Sequence, residues 1–459
     1  MILQFINRKT ELDALEKAYR SPRSEFFVIY GRRRIGKTEL MKRFTEKKSH
    51  FYFLAKKQNL ELEREAFQRR FAEKFNIYME ESPTFEMLFK QILSKIDLKK
   101  KLVIVIDEFP YWIEREESVI SEFQYLWDEL LKEKNIFLIL CGSYVSIMEE
   151  KVLSKNSPLY GRRTGQLEVE PMKIKHLQDF LPKYRTEELI NTYGAMGTVP
   201  FYLKEMDDSQ SFLENIRNTF FNKANILNQE AIFLLTEELR EVNVYFNILK
   251  AILDGATTIT EISSRSRVDI TNIHKYIATL IGLKLVKRIK PITSSAKEKQ
   301  YLLKIEDNYF RFWLTYIYPN QSEIEEDPDS LIKLVEKSYS SYMGFIFEDI
   351  CRAIVRNFHT GVATLGLEVG QWWYKDAEID LIAVNHQTQE ILFGECKWKD
   401  KVDAFKVLAE LKEKTKLVQW NNTYRKEHYV IFAKSFQEKI KEKDLTLLDL
   451  RDIGTYLKT

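Results

Sequence analysis

The hydrophobic positions of the first 170 residues form short continuous runs separated by amphipathic stretches. Three such runs lie at 26–30, 102–106 and 136–140. Continuous apolar runs of this length are typical of parallel strands that are buried on both faces of a sheet. The stretches between them, such as 61–75 and 118–131, are amphipathic and suit helices. This alternation predicts an α/β fold built on a parallel sheet.

The pattern becomes helical from about residue 173 and stays helical past 243. Residues 244–303 then suggest three helices and a two-stranded hairpin, the order of a winged helix-turn-helix. An acidic stretch at 321–330 that contains Pro328 predicts a linker, and an α/β pattern returns after it. We therefore predict an α/β core at 1–170, a helical lid at 171–240, a winged helix-turn-helix at 241–318 and a C-terminal α/β domain at 331–459.

Composition and charge restrict the function only weakly. The 71 basic and 68 acidic residues leave a net charge of +3, so any surface for nucleic acid must be local. Cys141, Cys351 and Cys396 lie in apolar stretches, which favours buried thiols over a disulfide or a metal site. The N-terminus lacks a signal-peptide pattern and no window reaches the length of a membrane helix. We therefore expect a cytoplasmic protein without a membrane partner.

The first apolar run leads into a glycine turn that predicts a phosphate-binding loop. Backbone N–H groups of such a loop, together with the following helix dipole, attract phosphate oxygens. Lys37 is expected to reach the β- and γ-phosphates, and the Thr38 hydroxyl to coordinate Mg²⁺. The strand–loop–helix context predicts that ATP and Mg²⁺ bind here. The predicted loop consists of Gly31, Arg32, Arg33, Arg34, Ile35, Gly36, Lys37 and Thr38.

Polar residues after the next two apolar runs are expected at the same edge of the sheet. Asp107 is predicted to lie beside the Mg²⁺, and Glu108 to orient the water that attacks the γ-phosphate. Ser143 is expected either to sense the γ-phosphate or the attacking water, or to cap a helix. Arg162 and Arg163 suit the charge that develops on a transferred phosphoryl group, within the chain or across subunits. Surface ion pairs are the alternative for both arginines.

These residues, together with 5–8, 158–164 and 197–203, resemble the archaeal-type ATPase family of the AAA-like P-loop class. The resemblance covers roughly the first half of the chain. It implies ATP binding and hydrolysis, and it places Phe5, Ile6 and Arg8 near the adenine. The three arginines inside the loop depart from the smaller residues common in that family. They should not block phosphate binding, because the contacts at those positions come from the backbone.

The predicted winged helix-turn-helix carries local positive charge that suits DNA phosphates. Its second helix, 271–280, has an apolar face and an opposite face with Asn272, Lys275 and Thr279. A polar loop at 294–299 would form the wing. DNA is the expected partner, and a protein-binding module or a rigid spacer are the alternatives. The aromatic stretch at 307–313 is expected to pack in a core. The basic residues are Arg265, Arg267, His274, Lys275, Lys287, Arg288 and Lys290.

The C-terminal part carries three carboxylates and a lysine on elements that can meet. Glu348 lies in a predicted helix, Asp380 in one strand, and Glu395 and Lys397 on one face of the next. A turn at 385–390 makes the two strands neighbours. Such carboxylates suit Mg²⁺, which polarises a phosphodiester and activates water.

This arrangement resembles the restriction-endonuclease-like superfamily. The resemblance implies that Asp380 and Glu395 hold Mg²⁺, that Glu348 completes the shell and that Lys397 assists catalysis. Ile379 stands where that superfamily often has proline.

Two functions are compatible with these patterns. The first is an ATP-driven enzyme that binds DNA and cleaves it with Mg²⁺. The second is a signal-transducing ATPase switch that cuts nothing and binds DNA, a protein partner or further copies of itself. The complete set of Asp380, Glu395 and Lys397 favours the first, because a switch has no chemical need for all three.

Overall fold

A computed structural model describes residues 5–293, 301–357 and 367–458. The chain divides into two compact units. Residues 1–172 and 199–201 form the first unit, and residues 173–198 and 202–459 form the second. The segments predicted as a lid, a winged helix-turn-helix and a C-terminal domain therefore share one unit. In the part of the chain that the structure describes, every helix is too short or too polar to cross a membrane.

The first unit alternates strands and helices, as the apolar runs predict. Its elements are α1 (Lys9–Tyr19), β1 (Glu25–Tyr30), α2 (Lys37–Thr45), β2 (His50–Leu54), α3 (Leu60–Phe75), α4 (Phe85–Lys95), β3 (Leu102–Asp107), α5 (Pro110–Arg115), α6 (Val119–Tyr125), β4 (Ile136–Gly142), α7 (Val145–Ile147) and β5 (Gly165–Glu168). The strands form one parallel sheet in the order β2-β3-β4-β1-β5. This confirms the predicted α/β fold.

Both faces of this sheet are covered, which explains why its strands are apolar throughout. On β1, Phe26 and Val28 join one core cluster and Phe27 and Ile29 join the other. Cys141 on β4 is buried as a free thiol, as are the other two cysteines. The carboxyl ends of β1, β3 and β4 consequently lie along a single edge of the sheet.

The chain beyond residue 172 begins with helices and ends in a second sheet. Its elements are α8 (Leu177–Phe180), α9 (Thr186–Met196), α10 (Pro200–Leu203), α11 (Phe212–Thr219), α12 (Glu230–Glu238), α13 (Val242–Leu253), α14 (Ile259–Ser266), α15 (Ile270–Gly282), β6 (Val286–Ile289), β7 (Leu302–Ile305), α16 (Asn308–Phe312), α17 (Gln321–Glu326), α18 (Pro328–Asn357), β8 (Leu367–Tyr374), β9 (Ala377–Asn385), β10 (Glu390–Lys397), α19 (Ala404–Thr415), β11 (Lys426–Ala433), β12 (Leu445–Leu448) and α20 (Leu450–Lys458).

Three helices and a hairpin occupy the segment predicted as a winged helix-turn-helix. Thr258 and Glu261 form a capping box that starts α14, and Asp269 caps α15. Between the two helices, Arg267 has φ 57°, the left-handed conformation that makes the turn. Strands β6 and β7 pair antiparallel. The predicted wing loop at 294–299 lies outside the described residues.

The prediction of a linker at 321–330 is wrong. This stretch forms α17 and the start of α18, whose first residue is Pro328. Proline suits the first position of a helix, where its missing N–H would have no partner. Asp327 caps the same helix through Ser330 N, at 3.1 Å. Helix α18 spans 30 residues.

The aromatic stretch at 307–313 packs in the core, as predicted. Tyr309 and Trp313 are fully buried. The Tyr309 hydroxyl donates to the carbonyl of Leu227 at 2.8 Å, and Trp313 Nε1 donates to the carbonyl of Asn228 at 2.6 Å. Both polar atoms are thus satisfied inside the protein.

The C-terminal sheet has the order β12-β11-β10-β9-β8. Strands β8, β9 and β10 pair antiparallel, and β10, β11 and β12 pair parallel. Asn385 shapes the predicted turn between β9 and β10, because its side chain accepts from Gln387 N and Thr388 N. The pairing of Leu381 with Gly394 brings Asp380 and Glu395 to neighbouring positions.

Candidate functional site

The glycine turn after β1 has the backbone geometry of a phosphate-binding loop. Gly31, Arg34 and Gly36 have φ values of 149°, 69° and 94°, and Gly36 caps α2. A Cβ atom at Gly31 would lie 2.2 Å from the carbonyl oxygen of Val169, so the loop requires glycine there. The turn therefore aims the start of α2 at the sheet edge where phosphates would bind.

Lys37, Thr38 and Asp107 meet at this edge, as the sequence predicts. Lys37 Nζ donates to the carbonyls of Gly31 at 2.7 Å and Arg32 at 2.9 Å. Burial lowers the pKa of Lys37, and the carboxylates of Glu108 and Asp107 oppose this shift. Thr38 Oγ1 donates to Asp107 Oδ2 at 3.0 Å. A hydroxyl and a carboxylate at one point are oxygen ligands that fit Mg²⁺.

Tyr52 is a member of this cluster that sequence reasoning missed. Its hydroxyl donates to Asp107 Oδ2, the same oxygen that accepts from Thr38. Burial, reinforced by the Asp107 carboxylate, raises the pKa of Tyr52 far above its usual range. The available signal was one tyrosine between Phe51 and Phe53 on a strand, where alternation turns it to the opposite face.

Glu108 and Ser143 are also brought together. Ser143 Oγ lies 2.5 and 2.6 Å from the two carboxylate oxygens of Glu108, and Ser143 N donates to Glu108 Oε2 at 3.1 Å. Glu108 has φ 58°, which turns the chain sharply after β3. The cap position of α7 belongs to Tyr144. Ser143 therefore contacts the predicted water-orienting carboxylate and does not cap the helix.

Arg162 makes the ion pair of the alternative interpretation, whereas Arg163 contacts a backbone carbonyl. Arg162 Nε pairs with Asp128 Oδ2 at 2.7 Å, and its NH1 donates to the carbonyl of Pro158 at 2.7 Å. Arg163 NH1 donates to the carbonyl of Leu153 at 3.2 Å. Both guanidinium groups are therefore engaged in holding the segment before β5.

Arg8 contacts the backbone of the phosphate-binding loop. Its NH2 donates to the carbonyl of Ile35 at 2.8 Å, and its NH1 pairs with Glu11 at 2.8 Å. The side chain is buried. This contact fixes the backbone that precedes Gly36, and the adenine contact implied for Arg8 stays a prediction.

The C-terminal sheet brings Asp380, Glu395 and Lys397 together. Lys397 Nζ lies 2.5 Å from Glu395 Oε2 and 3.6 Å from Asp380 Oδ2. The same Asp380 oxygen accepts from Cys396 N at 2.8 Å. Although burial opposes it, the two carboxylates raise the pKa of Lys397 above its usual range. The lysine is therefore fully charged at neutral pH.

Lys414 on α19 is a second cation at this site that the sequence did not reveal. Its Nζ lies 2.7 Å from Glu395 Oε1, so each carboxylate oxygen of Glu395 contacts a lysine. Against the effect of burial, Lys397 and Lys414 hold the pKa of Glu395 below its usual value. Lys414 follows Lys397 by 17 positions, 414 − 397, and no short motif connects them.

Glu348 lies beside this group on α18. Arg352 NH1 is 3.4 Å from Glu348 Oε2 and also donates to the carbonyl of Asp380. Burial and the Asp380 charge raise the pKa of Glu348 to about 8. Burial and the Glu395 charge raise the pKa of Asp380 to about 6.

Among the described residues, no three His, Cys, Asp or Glu side chains form a ready metal cage. Asp380 and Glu395 remain adjacent carboxylates of a type that fits Mg²⁺. Their assignment as metal ligands, with Glu348, stays a prediction.

The prediction that Lys287 offers free charge to DNA is wrong. Its Nζ pairs with Asp349 Oδ2 at 3.1 Å, and Arg352 NH2 pairs with Asp349 Oδ1 at 2.9 Å. Despite burial, these two cations hold the pKa of Asp349 well below its usual range. On α15, in contrast, Asn272, His274 and Lys275 are exposed.

Comparisons with known proteins agree with the geometry of the first unit. Residues 5–206 match a family described as an ATPase domain predominantly from Archaea. Residues 313–414 match a family described as archaeal and bacterial proteins of unknown function. An uncharacterized protein of Methanocaldococcus jannaschii is 37% identical over 454 residues, which cover 98% of this chain and 100% of that protein.

Two further similarities are partial. An uncharacterized ATP-binding protein of the same organism is 47% identical over 47 residues, which cover 10% of this chain and 80% of that protein. A solved Walker-type ATPase of Pyrococcus abyssi has a TM-score of 0.50 at 18% identity and covers 68% of this chain and 96% of its own. Similarity at this identity shows a shared fold. Together with the loop around Lys37, these matches show that the chain belongs to the archaeal P-loop ATPase family.

Proposed function

We propose that this ATPase couples ATP hydrolysis to DNA binding and to Mg²⁺-dependent cleavage of a phosphodiester bond. The observation that supports cleavage is the convergence of Asp380, Glu395 and Lys397 at the edge of the C-terminal sheet. Two adjacent carboxylates and one ammonium group are the parts that metal-assisted phosphodiester hydrolysis requires.

The first unit supplies the groups for hydrolysis of ATP. Lys37 contacts the β- and γ-phosphates, Thr38 and Asp107 hold the Mg²⁺, and Glu108 orients a water molecule. Mg²⁺ held by Thr38 and Asp107 would neutralise phosphate charge. The water oxygen forms a bond to the γ-phosphorus while the bond to the β–γ bridging oxygen breaks. Glu108 receives the proton, and ADP and phosphate are released.

The C-terminal site supplies the groups for cleavage. Asp380 and Glu395 would hold Mg²⁺, which would polarise the scissile phosphate and activate a water molecule. The water oxygen would bond to phosphorus as one ester P–O bond breaks, and the proton of the water would pass to the leaving oxygen or to solvent. Lys397 then exchanges its carboxylate partners for the phosphate and offsets the negative charge that develops on it. The phosphate then replaces the carboxylates as the anion that keeps the ammonium charged.

DNA binding is assigned to the segment from α13 to β7. The exposed face of α15 carries Asn272, His274 and Lys275, which suit contacts to base edges and phosphates. Lys287 is not part of this surface, because Asp349 holds it.

Incubation with supercoiled, linear and branched DNA, with Mg²⁺ and with or without ATP, tests the proposal. Wild type should nick or cut at least one substrate, and Glu395→Ala and Lys397→Ala should not. Lys37→Ala should lose ATP hydrolysis and any ATP-dependent part of the cleavage. The matched control is Lys416→Ala, which replaces an exposed lysine directly after α19 and should cut normally. Equal cutting by wild type and Lys397→Ala would remove the nuclease assignment.

A second candidate function is a nucleotide-dependent switch that does not cut. It is favoured by the two lysines that already occupy both carboxylate oxygens of Glu395. This function predicts a DNA or protein partner whose affinity changes between ATP and ADP, without nicking of any DNA substrate. The switch would be supported if Glu395→Ala kept that affinity change and if wild type left every DNA substrate uncut.

A further inference from the structure

We infer that Arg33 is a catalytic arginine of the ATPase, placed within the chain to stabilise charge on the transferred γ-phosphoryl group. The sequence predicted only a backbone role for the middle of the loop and considered Arg162 and Arg163 for this task. The structure engages those two arginines with Asp128 and with the carbonyls of Pro158 and Leu153.

The position of Arg33 is fixed by two tyrosines. Its NH2 donates to the hydroxyl of Tyr111 at 2.8 Å, and its Cζ lies 5.2 Å from the ring centroid of Tyr144. The two rings meet edge to face, with centroids 5.8 Å apart. A guanidinium over a tyrosine ring gains cation–π stabilisation. The side chain is therefore held at the sheet edge on which the phosphates would bind.

Both tyrosines belong to the segments that carry the predicted chemistry. Tyr111 follows Glu108 by three residues, and Tyr144 follows Ser143 by one. Glu108 and Ser143 are hydrogen-bonded to each other. Arg33 thus connects the phosphate-binding loop to the two segments that carry Glu108 and Ser143.

Charge effects agree with this placement. Burial raises the pKa of Tyr111, while Arg33 lowers it and Glu108 raises it. The charges of Arg33 and Glu108 therefore both act on the Tyr111 hydroxyl.

Lys57 is the alternative cation in this cluster. Its Nζ donates to the Tyr144 hydroxyl at 2.6 Å and lies 3.6 Å from Glu114 Oε2. Lys57 also packs on both tyrosine rings, with Nζ 5.0 Å from the Tyr111 centroid and 4.9 Å from the Tyr144 centroid. Arg33 has the planar fork of N–H donors that matches two phosphoryl oxygens at once. On ATP binding, its N–H groups would donate to the γ-phosphoryl oxygens as charge builds on them.

Steady-state hydrolysis by Arg33→Ala tests the inference. We expect kcat to fall by about 100-fold or more, the size of effect that a lost transition-state donor produces. The Kd for a non-hydrolysable ATP analogue should change much less, by about fivefold at most, because the backbone and Lys37 supply most of the binding. Free guanidinium ion at millimolar concentration should restore part of the Arg33→Ala activity and none of the Lys37→Ala activity.

Further variants separate catalysis from folding. Tyr111→Phe keeps the ring and removes the hydroxyl that orients Arg33, so kcat should fall with little change in KM. Arg43→Ala removes an exposed arginine of α2 and should hydrolyse ATP like wild type. If Arg33→Ala does not fold, Arg33→Lys takes its place, and its kcat should still fall because a point charge replaces the fork.

The inference concerns the ATPase and is independent of cleavage by the C-terminal site. Hydrolysis by folded Arg33→Ala or Arg33→Lys within about threefold of wild type would overturn it, because no transition-state donor would have been lost. Equal losses of kcat and analogue affinity without guanidinium rescue would also overturn it, since Arg33 would then only bind ATP or shape the loop.

Discussion

The phenolic hydroxyl of Tyr52 donates a hydrogen bond to Asp107 Oδ2, the oxygen that also accepts from Thr38 at 3.0 Å. The other oxygen, Oδ1, accepts from Glu108 N at 3.0 Å. Three hydrogen-bond donors therefore hold the Asp107 carboxylate in place. Strand β2 contributes to the nucleotide site through this tyrosine.

Tyr52→Phe should weaken the use of Mg²⁺ by the ATPase. Loss of a hydrogen bond to a charged group costs about 2 kcal/mol, which corresponds to roughly a 30-fold effect at most. We expect a higher Mg²⁺ concentration for half-maximal hydrolysis, with a smaller change in the KM for ATP. Titration of Mg²⁺ at saturating ATP measures the concentration for half-maximal hydrolysis. An unchanged Mg²⁺ requirement would show that Tyr52 does not position Asp107.

Gly31→Ala should abolish nucleotide binding. The added Cβ would lie 2.2 Å from the carbonyl oxygen of Val169, and the φ value of 149° is unfavourable for alanine. The loop would have to move away from β5, and its N–H groups would lose their common direction. Calorimetric titration with ATP measures the effect, and Gly255→Ala, in a turn outside the first unit, is a control for the general cost of replacing a glycine with positive φ.

Asp349→Asn should destabilise the second unit by about 2 kcal/mol, because Lys287 and Arg352 would lose a shared anion in a half-buried position. The pKa of Asp349 is lowered in the folded protein. Its contribution to stability is therefore complete above the ordinary pKa of 3.8 and is lost as the pH falls toward the lower folded value. Urea unfolding at neutral and acidic pH should show a difference between wild type and variant that shrinks in acid.

Wild type should lose stability at high pH because Glu348 must ionise in a buried position, and Glu348→Gln should remove this loss. The pKa of Glu348 is raised from 4.5 to about 8 in the folded protein, so folding takes up a proton between these values. The unfolding free energy contributed by this group is complete below pH 4.5 and falls as the pH rises through about 8. The melting temperature of Glu348→Gln relative to wild type should rise from about pH 5 to about pH 9. Exposed Glu336 on the same helix gives the control variant Glu336→Gln.

Prediction from sequence succeeded for a continuous loop and for residues at the ends of apolar strands, and it missed residues that join a site through sheet order or helix packing. Gly31 to Thr38 is continuous, and the apolar strand before it fixes its place in the sheet. Lys414 joins Glu395 only because α19 packs on β10, and Tyr52 joins Asp107 only because β2 pairs with β3. Such pairings depend on sheet order, which a single sequence does not specify.

The error at 321–330 has a different cause. Acidic residues around a proline suggest a loop when they are read alone. Here Pro328 is the first residue of α18, and Asp327 caps that helix. The charge of Lys287 was misjudged for a related reason, because its partner Asp349 lies 62 positions further along the chain.

Helix α18 has a practical consequence for dividing this protein. At 30 residues it is about 45 Å long. Near its middle, the hydroxyls of Tyr339 and Tyr342 donate to the carbonyls of Asn191 and Gly194 on α9, and near its end Arg352 donates to the carbonyl of Asp380 on β9. A C-terminal fragment that begins at residue 331, the boundary that sequence alone suggests, would keep most of α18 but lose α9, to which its tyrosines donate. We expect both fragments to be insoluble when each is expressed alone. Co-expression should restore solubility only if α9 and α18 pack together again.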